Sequence, residues 1–392
     1  MVAVGPPVSL SLEDAVTSGR SDAAALAAAR RIGEGESPLS VLARATEVAL
    51  EFSGREAAGA SWSQALLSVA AAASLADREG GAAAAVGAIG FLAHARPSRV
   101  RDTEASPVDW PGTRGWVDLV LEDRLAEALG AWDVVPEEER SLAWGAASVA
   151  SVGGWGAMAL LGGGLSRLGA ALPALSAALE EATIRAWIPV EPDPAFVEAA
   201  GEAGSVVEGI ARAISGGAAP ARAQVDAESV VVGVAVAALE LARRTPDLRS
   251  VRGVLVAREL LEIARAHPEA LDAAARDRVL AFVGSGWDRA RWDRRLRGAA
   301  RSWGEGAFSG EAPPLDGTID ELCRVEARPG FGHNLLLAEA GIALTEMLPR
   351  HAPLIAATLA ATVPSWTRSR RPHLMLRGAK NPQASGIVAP LK

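Results

Sequence analysis

Alanine fills almost every apolar stretch of this chain, and that restricts the fold more than any motif does. Runs such as Ala23-Ala24-Ala25, Ala70-Ala71-Ala72-Ala73, Ala82-Ala83-Ala84-Ala85 and Ala273-Ala274-Ala275 recur along its 392 residues, while tyrosine is absent and phenylalanine is rare. Alanine favours helix above other residues because it loses no side-chain entropy on ordering. Strand formers are sparse outside short runs such as Val230-Val231-Val232. The expectation is an all-α protein, a multi-helical bundle or short α-solenoid. At this length roughly two to three domains, or one elongated array, can bury a large core.

The formal net charge of -8 disfavours a broad nucleic-acid footprint, so no nucleic-acid partner is expected. Lysine occurs only at Lys380 and Lys392, which reads as the coding bias of a GC-rich bacterial genome. Cys323 is the single cysteine, so an intrachain disulfide and a thiolate zinc site are both ruled out. With no secretory pattern at the N-terminus, a cytoplasmic location is expected. Residues 57–76, 80–95 and 141–166 carry no Asp, Glu, Lys or Arg. The last is long enough to span a bilayer, for which about 20 residues suffice. Its Gly, Ser and Ala gain little from lipid, and the expectation is a buried helix pair, with a membrane span as the alternative.

Helix punctuation is readable along the chain. Ser37-Pro38 opens a helix on which Leu39, Val41, Leu42, Ala45, Val48, Ala49 and Phe52 share one face. Ser21 is expected to cap a helix ending at Gly33, and Trp116–Gly130 reads as one helix. Alternate prolines at Pro189, Pro192 and Pro194 cannot continue a helix, which sets a boundary between an N-terminal helical half, 1–190, and a C-terminal half, 191–365. Residues 366–392 form a basic tail, either an arm that wraps a second copy of the chain or a loosely ordered terminus. Leu66, Leu67, Ala70 and Ala73 match Leu336, Leu337, Ala340 and Ala343 at one constant offset, which suits two related halves facing each other across a cavity.

Candidate chemistry begins with five histidines, His94, His267, His333, His351 and His373. A non-haem iron site draws on imidazoles and carboxylates that converge in space. His333 opens an apolar helix that also carries Glu339, and the other reading of His333 is a helix-start residue bonded to backbone. His94 ends an apolar helix, where a protonated ring also suits the helix dipole. Gly162-Gly163-Gly164-Leu165-Ser166-Arg167 reads as a helix–helix turn, with phosphate binding as the lesser alternative. Residues 287–303 interleave Trp287, Trp292 and Trp303 with six arginines, an amphipathic surface helix in which Trp287 and Arg291 are spaced for a cation–π contact.

The run FGHNLLLAEAGIALTEMLPRHAPLI, residues 331–355, resembles the histidine-bearing helix of the questin oxidase family. SWSQALLSVAAAASLADREGG, residues 61–81, is similar to that family's N-terminal histidine helix in its apolar pattern and trailing turn. The resemblance implies an all-helical oxidoreductase that cleaves aromatic polyketide rings, with iron held by several histidines. His333 carries over as a metal ligand, with His94 and Glu339 as further ligands. Where the family carries histidine in the first segment, this chain has Ser63 and Gln64. An apolar small molecule is the expected partner, in a pocket lined by Trp144 and Trp155. The alternative is a non-catalytic helical scaffold or partner-binding protein.

Overall fold

A computed structural model describes residues 10–53, 60–95, 103–151, 157–187, 227–244, 246–271, 312–325 and 332–366. Among the described residues there are fifteen α-helices and no strand. The first half supplies α1 (Leu12–Thr17), α2 (Ser21–Gly33), α3 (Pro38–Ser53), α4 (Ala60–Ser74), α5 (Gly81–His94), α6 (Gly112–Leu121), α7 (Leu125–Asp133), α8 (Glu137–Ala150), α9 (Ala157–Ala171) and α10 (Ser176–Ala186). The second half supplies α11 (Ala227–Arg244), α12 (Leu248–Ala266), α13 (Leu315–Arg324), α14 (His333–Met347) and α15 (Ala352–Trp366). The proline-rich break at 188–194, the arginine–tryptophan segment 287–303 and the tail 367–392 lie outside the described residues.

Local chemistry sets most helix starts. Ser11 Oγ accepts the Asp14 amide at 3.0 Å ahead of α1, and Ser37 Oγ accepts the Ser40 amide at 3.1 Å ahead of α3. A capping box opens α12: Asp247 Oδ1 accepts the Ser250 amide, and Ser250 Oγ accepts the Asp247 amide. Pro136 precedes Glu137, Glu138 and Glu139 in α8, where carboxylates suit the positive helix end.

Three expectations fail for identifiable reasons. Ser21 does not cap α2: it lies inside the helix, and its hydroxyl donates 2.7 Å across to the Gly90 carbonyl of α5. Trp116–Gly130 is two helices, because Asp123 adopts a left-handed backbone with φ of 57° between α6 and α7. The triple glycine is not a turn, since α9 runs straight through it. Its small residues serve close packing. A Cβ at Gly162 would stand 2.3 Å from Ser148 Oγ, and one at Gly164 would stand 2.2 Å from Leu67 Cδ2.

Alanine shapes the packing as it shapes the helices. Each methyl-sized group contributes about 0.8 kcal/mol when buried, so the core draws its stability from many short interhelical contacts. α2, on which Ala24, Ala25, Ala28 and Ala29 are buried, packs on α5, whose Ala83–Ala93 stretch is buried throughout. On α3, Val41, Leu42, Ala45, Val48 and Ala49 form the buried stripe read from sequence.

Helices of the two expected halves pack on one another. The turn after α4 is clamped to α13 by Arg78–Asp316 at 3.0 Å, Arg324–Glu79 at 3.1 Å and the Gly80 amide donating to Asp320. α4 lies against α5, α9 and α14; α12 lies against α9, α11 and α14. The uncharged stretch at 141–166 falls on α8 and α9, with 152–156 outside the described residues. No described helix is long and apolar enough to cross a membrane.

Candidate functional site

Two helices from each half, α4, α9, α12 and α14, meet around a concentration of buried polar groups. Two parts can be distinguished: a network of charges between α9, α12 and α14, and an uncharged patch where the start of α14 meets α4.

The charged network comprises Arg167, Arg258, Glu259, Glu262 and Glu339. Arg167 reaches from α9 to Glu259 through a two-pronged contact at 2.5 and 2.9 Å, and to Glu262 at 3.0 Å. Arg258 donates to Glu339 of α14 at 2.7 Å, to Glu259 at 3.1 Å, and to Glu262. Arg167 Nε also lies 3.6 Å from Glu339. Gly163 makes room for this arrangement, since a Cβ there would lie 2.0 Å from Glu259 Oε2.

Arg167 and Glu259 keep their charges. Burial works against the Arg167 guanidinium, but Glu259 and Glu339 outweigh it and hold its pKa above the ordinary value. Burial would raise the Glu259 carboxyl, but Arg167 and Arg258 outweigh it and hold it below the ordinary range. Two guanidinium groups thus face three carboxylates. Removing one partner from such a buried set typically costs about 3–5 kcal/mol, because it strands a charge.

The uncharged patch is built on a glycine. Gly332 has a φ of +73°, a conformation that other residues rarely adopt, and a Cβ there would sit 1.6 Å from Ser68 Oγ. α14 therefore begins against α4, where Ser68 donates to the Gln64 carbonyl at 2.8 Å. His333 and Asn334 follow at once, 1% and 0% exposed. Asn334 Nδ2 donates to the Leu322 and Val325 carbonyls at 2.9 and 3.3 Å, tying the end of α13 to the start of α14. Gln64 Oε1, Asn334 Oδ1 and Arg258 Nε are buried without a hydrogen-bond partner among the described residues.

The expected site residues take different places. His333 is in the uncharged patch, and Glu339, two turns further along α14, belongs to the charged network. His94 is exposed at the end of α5. Glu339 is bound to two guanidinium groups, and among the described residues no three His, Cys, Asp or Glu side chains stand where they could share a metal ion. The described residues thus do not make up the iron site implied by the resemblance. Trp144 is buried in a cluster with Trp116, Trp132 and Trp187, and Trp155 lies outside the described residues.

Sequence reasoning missed Arg167, Arg258, Glu259 and Glu262. Arg258-Glu259 follows Val254-Leu255-Val256-Ala257 and precedes Leu260-Leu261, so the pair interrupts an apolar run. Charge on an otherwise apolar helical segment was the available signal. Comparison with models of known protein families, with curated proteins and with solved structures finds no match.

Proposed function

We propose that this chain is a questin-oxidase-like oxidoreductase acting on an apolar aromatic or polyketide-like molecule, with the α4–α14 junction as its site. One observation carries the reading. The two segments that resemble that family, 61–81 and 331–355, lie far apart in sequence yet pack against each other, with Ser68 against the backbone that presents His333. Imidazole is the side chain best suited to exchange protons near neutral pH, and a phenolic hydroxyl on the substrate would be its partner. The ion network fixes α9 and α12 to α14, the helix that His333 opens. A cytoplasmic protein with a single buried cysteine suits this role, and the basic tail would serve contact with a second copy.

The test is oxygen uptake by the purified protein with a panel of hydroxylated anthraquinones, with ring-opened product read by mass spectrometry. Uptake matched by product supports the reading. Neither binding nor uptake across the panel removes it.

A second reading, a non-catalytic helical scaffold or partner-binding protein, draws on the closed pairing of the five charges, which suffices to lock three helices together. It expects His333→Gln to change nothing but stability.

A further inference from the structure

Five tryptophans make a continuous path that ends against α9. Trp110 lies 6.3 Å, centroid to centroid, from Trp116. Trp116 is 4.7 Å from Trp132 and 5.5 Å from Trp144, and Trp132 is 4.7 Å from Trp144. Trp144 continues to Trp187 at 5.8 Å. Trp110 is half-buried at the outer end, while the other four are buried. At the inner end, Trp187 donates to Ser151 at 3.0 Å and lies against Gly162 of α9, the helix that carries Arg167.

Packing alone explains why indoles touch. Two of their N–H groups find carboxylates as acceptors. Trp110 Nε1 donates to Glu139 Oε2 at 2.9 Å, and Trp132 Nε1 donates to Glu180 Oε2 at 2.9 Å. A carboxylate can take the proton that an oxidised indole sheds. Trp116 and Trp187 donate to a backbone carbonyl and a hydroxyl, which are far weaker bases. Arg140 lies 5.2 Å from the Trp132 ring, where its charge disfavours a cation, and it also donates to the same Glu180 oxygen at 2.6 Å. Oxidation rests on Trp132 only once its proton has moved to Glu180.

We propose that Trp110, Trp116 and Trp132 are a one-electron relay between the protein surface at Trp110 and the buried indole of Trp132. A high-potential transition-metal complex at the surface, ruthenium(III) polypyridyl being one, takes an electron from Trp110 and is reduced by one unit, and the Trp110 Nε1 proton passes to Glu139. Trp116 then returns an electron to Trp110, which recovers its proton from Glu139. Trp132 refills Trp116, and the Trp132 Nε1 proton passes to Glu180, leaving a neutral radical on Trp132. The relay concerns the tryptophans themselves and stands or falls separately from the role of His333.

The test places the oxidant at one end. Cys323 is fully buried and its thiol is pushed up to about 12, chiefly by burial, so a cysteine introduced by Asp109→Cys at an exposed position takes a ruthenium polypyridyl label selectively. Flash excitation with methyl viologen as reversible electron acceptor generates ruthenium(III) beside Trp110. The expected result is an indolyl radical that outlives, severalfold, the one formed when Trp116→Phe confines oxidation to Trp110. Glu180→Gln keeps every ring but removes the inner base, and it shortens the lifetime to the same degree. Circular dichroism checks that each variant keeps its helices. If Trp116→Phe fails that check, Glu180→Gln decides. Equal lifetimes with and without Trp116, or with and without the Glu180 carboxylate, overturn the relay.

Discussion

Arg258 and Glu339 meet at 2.7 Å with side-chain exposures of 4% and 9%, so one ion pair joins α12 to α14 out of reach of bulk water. Arg258→Met leaves Glu339 and Glu259 without that guanidinium, and the expected loss is about 3–5 kcal/mol in denaturant unfolding. Arg258→Met combined with Glu339→Leu is expected to be more stable than Arg258→Met alone, because no carboxylate is then stranded on α14. A double variant less stable than Arg258→Met would contradict the pairing.

Gly332 is the hinge on which His333 is presented. Gly332→Ala forces a left-handed backbone that costs about 1–2 kcal/mol and drives a methyl group into Ser68. Adding Ser68→Gly removes the collision but not the backbone strain. The double variant is expected to recover part of the lost melting temperature, and thermal denaturation of both variants checks this.

The helices followed from local chemistry: the Ser37 cap and the Leu39–Ala49 face stand where the sequence placed them. The split at Asp123 was not legible, because aspartate occurs in helices and turns alike and its left-handed conformation is settled by context. Nor was the role of Gly162–Gly164, since glycine marks both turns and close approaches, and Leu67, Ser148 and Glu259 come from remote segments. His333 and Glu339 stand out in the sequence, whereas Arg258, Glu259 and Glu262 do not. An arginine or glutamate on a helix is usually solvated, and only the fold shows that Arg258 and Glu259 face inward.

Acid sensitivity is expected to centre on Glu259. Its carboxyl is held below the ordinary value of 4.5, so its contribution to stability is complete above that value and is lost as pH falls below it. Glu259→Gln is expected to lower stability at neutral pH and to flatten the fall in stability on the acid side. Chemical denaturation across that range reads both effects, and an unchanged acid limb contradicts the assignment.

Cys323 is expected to be inert in the folded protein. It is fully buried, and burial together with the nearby Asp320 raises its thiol to about 12. A disulfide reagent at mildly alkaline pH should label it at the rate of unfolding, with full labelling in denaturant. Prompt labelling of the native protein would show that the α13 contact with the turn after α4 is open.

Turnover by His333→Gln tests the central claim most directly. Glutamine keeps hydrogen-bonding capacity at the start of α14 but cannot exchange a proton near neutral pH. With melting temperature and helicity matched to the parent, oxidation of the best hydroxylated anthraquinone should fall by orders of magnitude while binding of that compound persists. Parent-level oxidation by the folded variant would contradict the placement of the reaction at the α4–α14 junction.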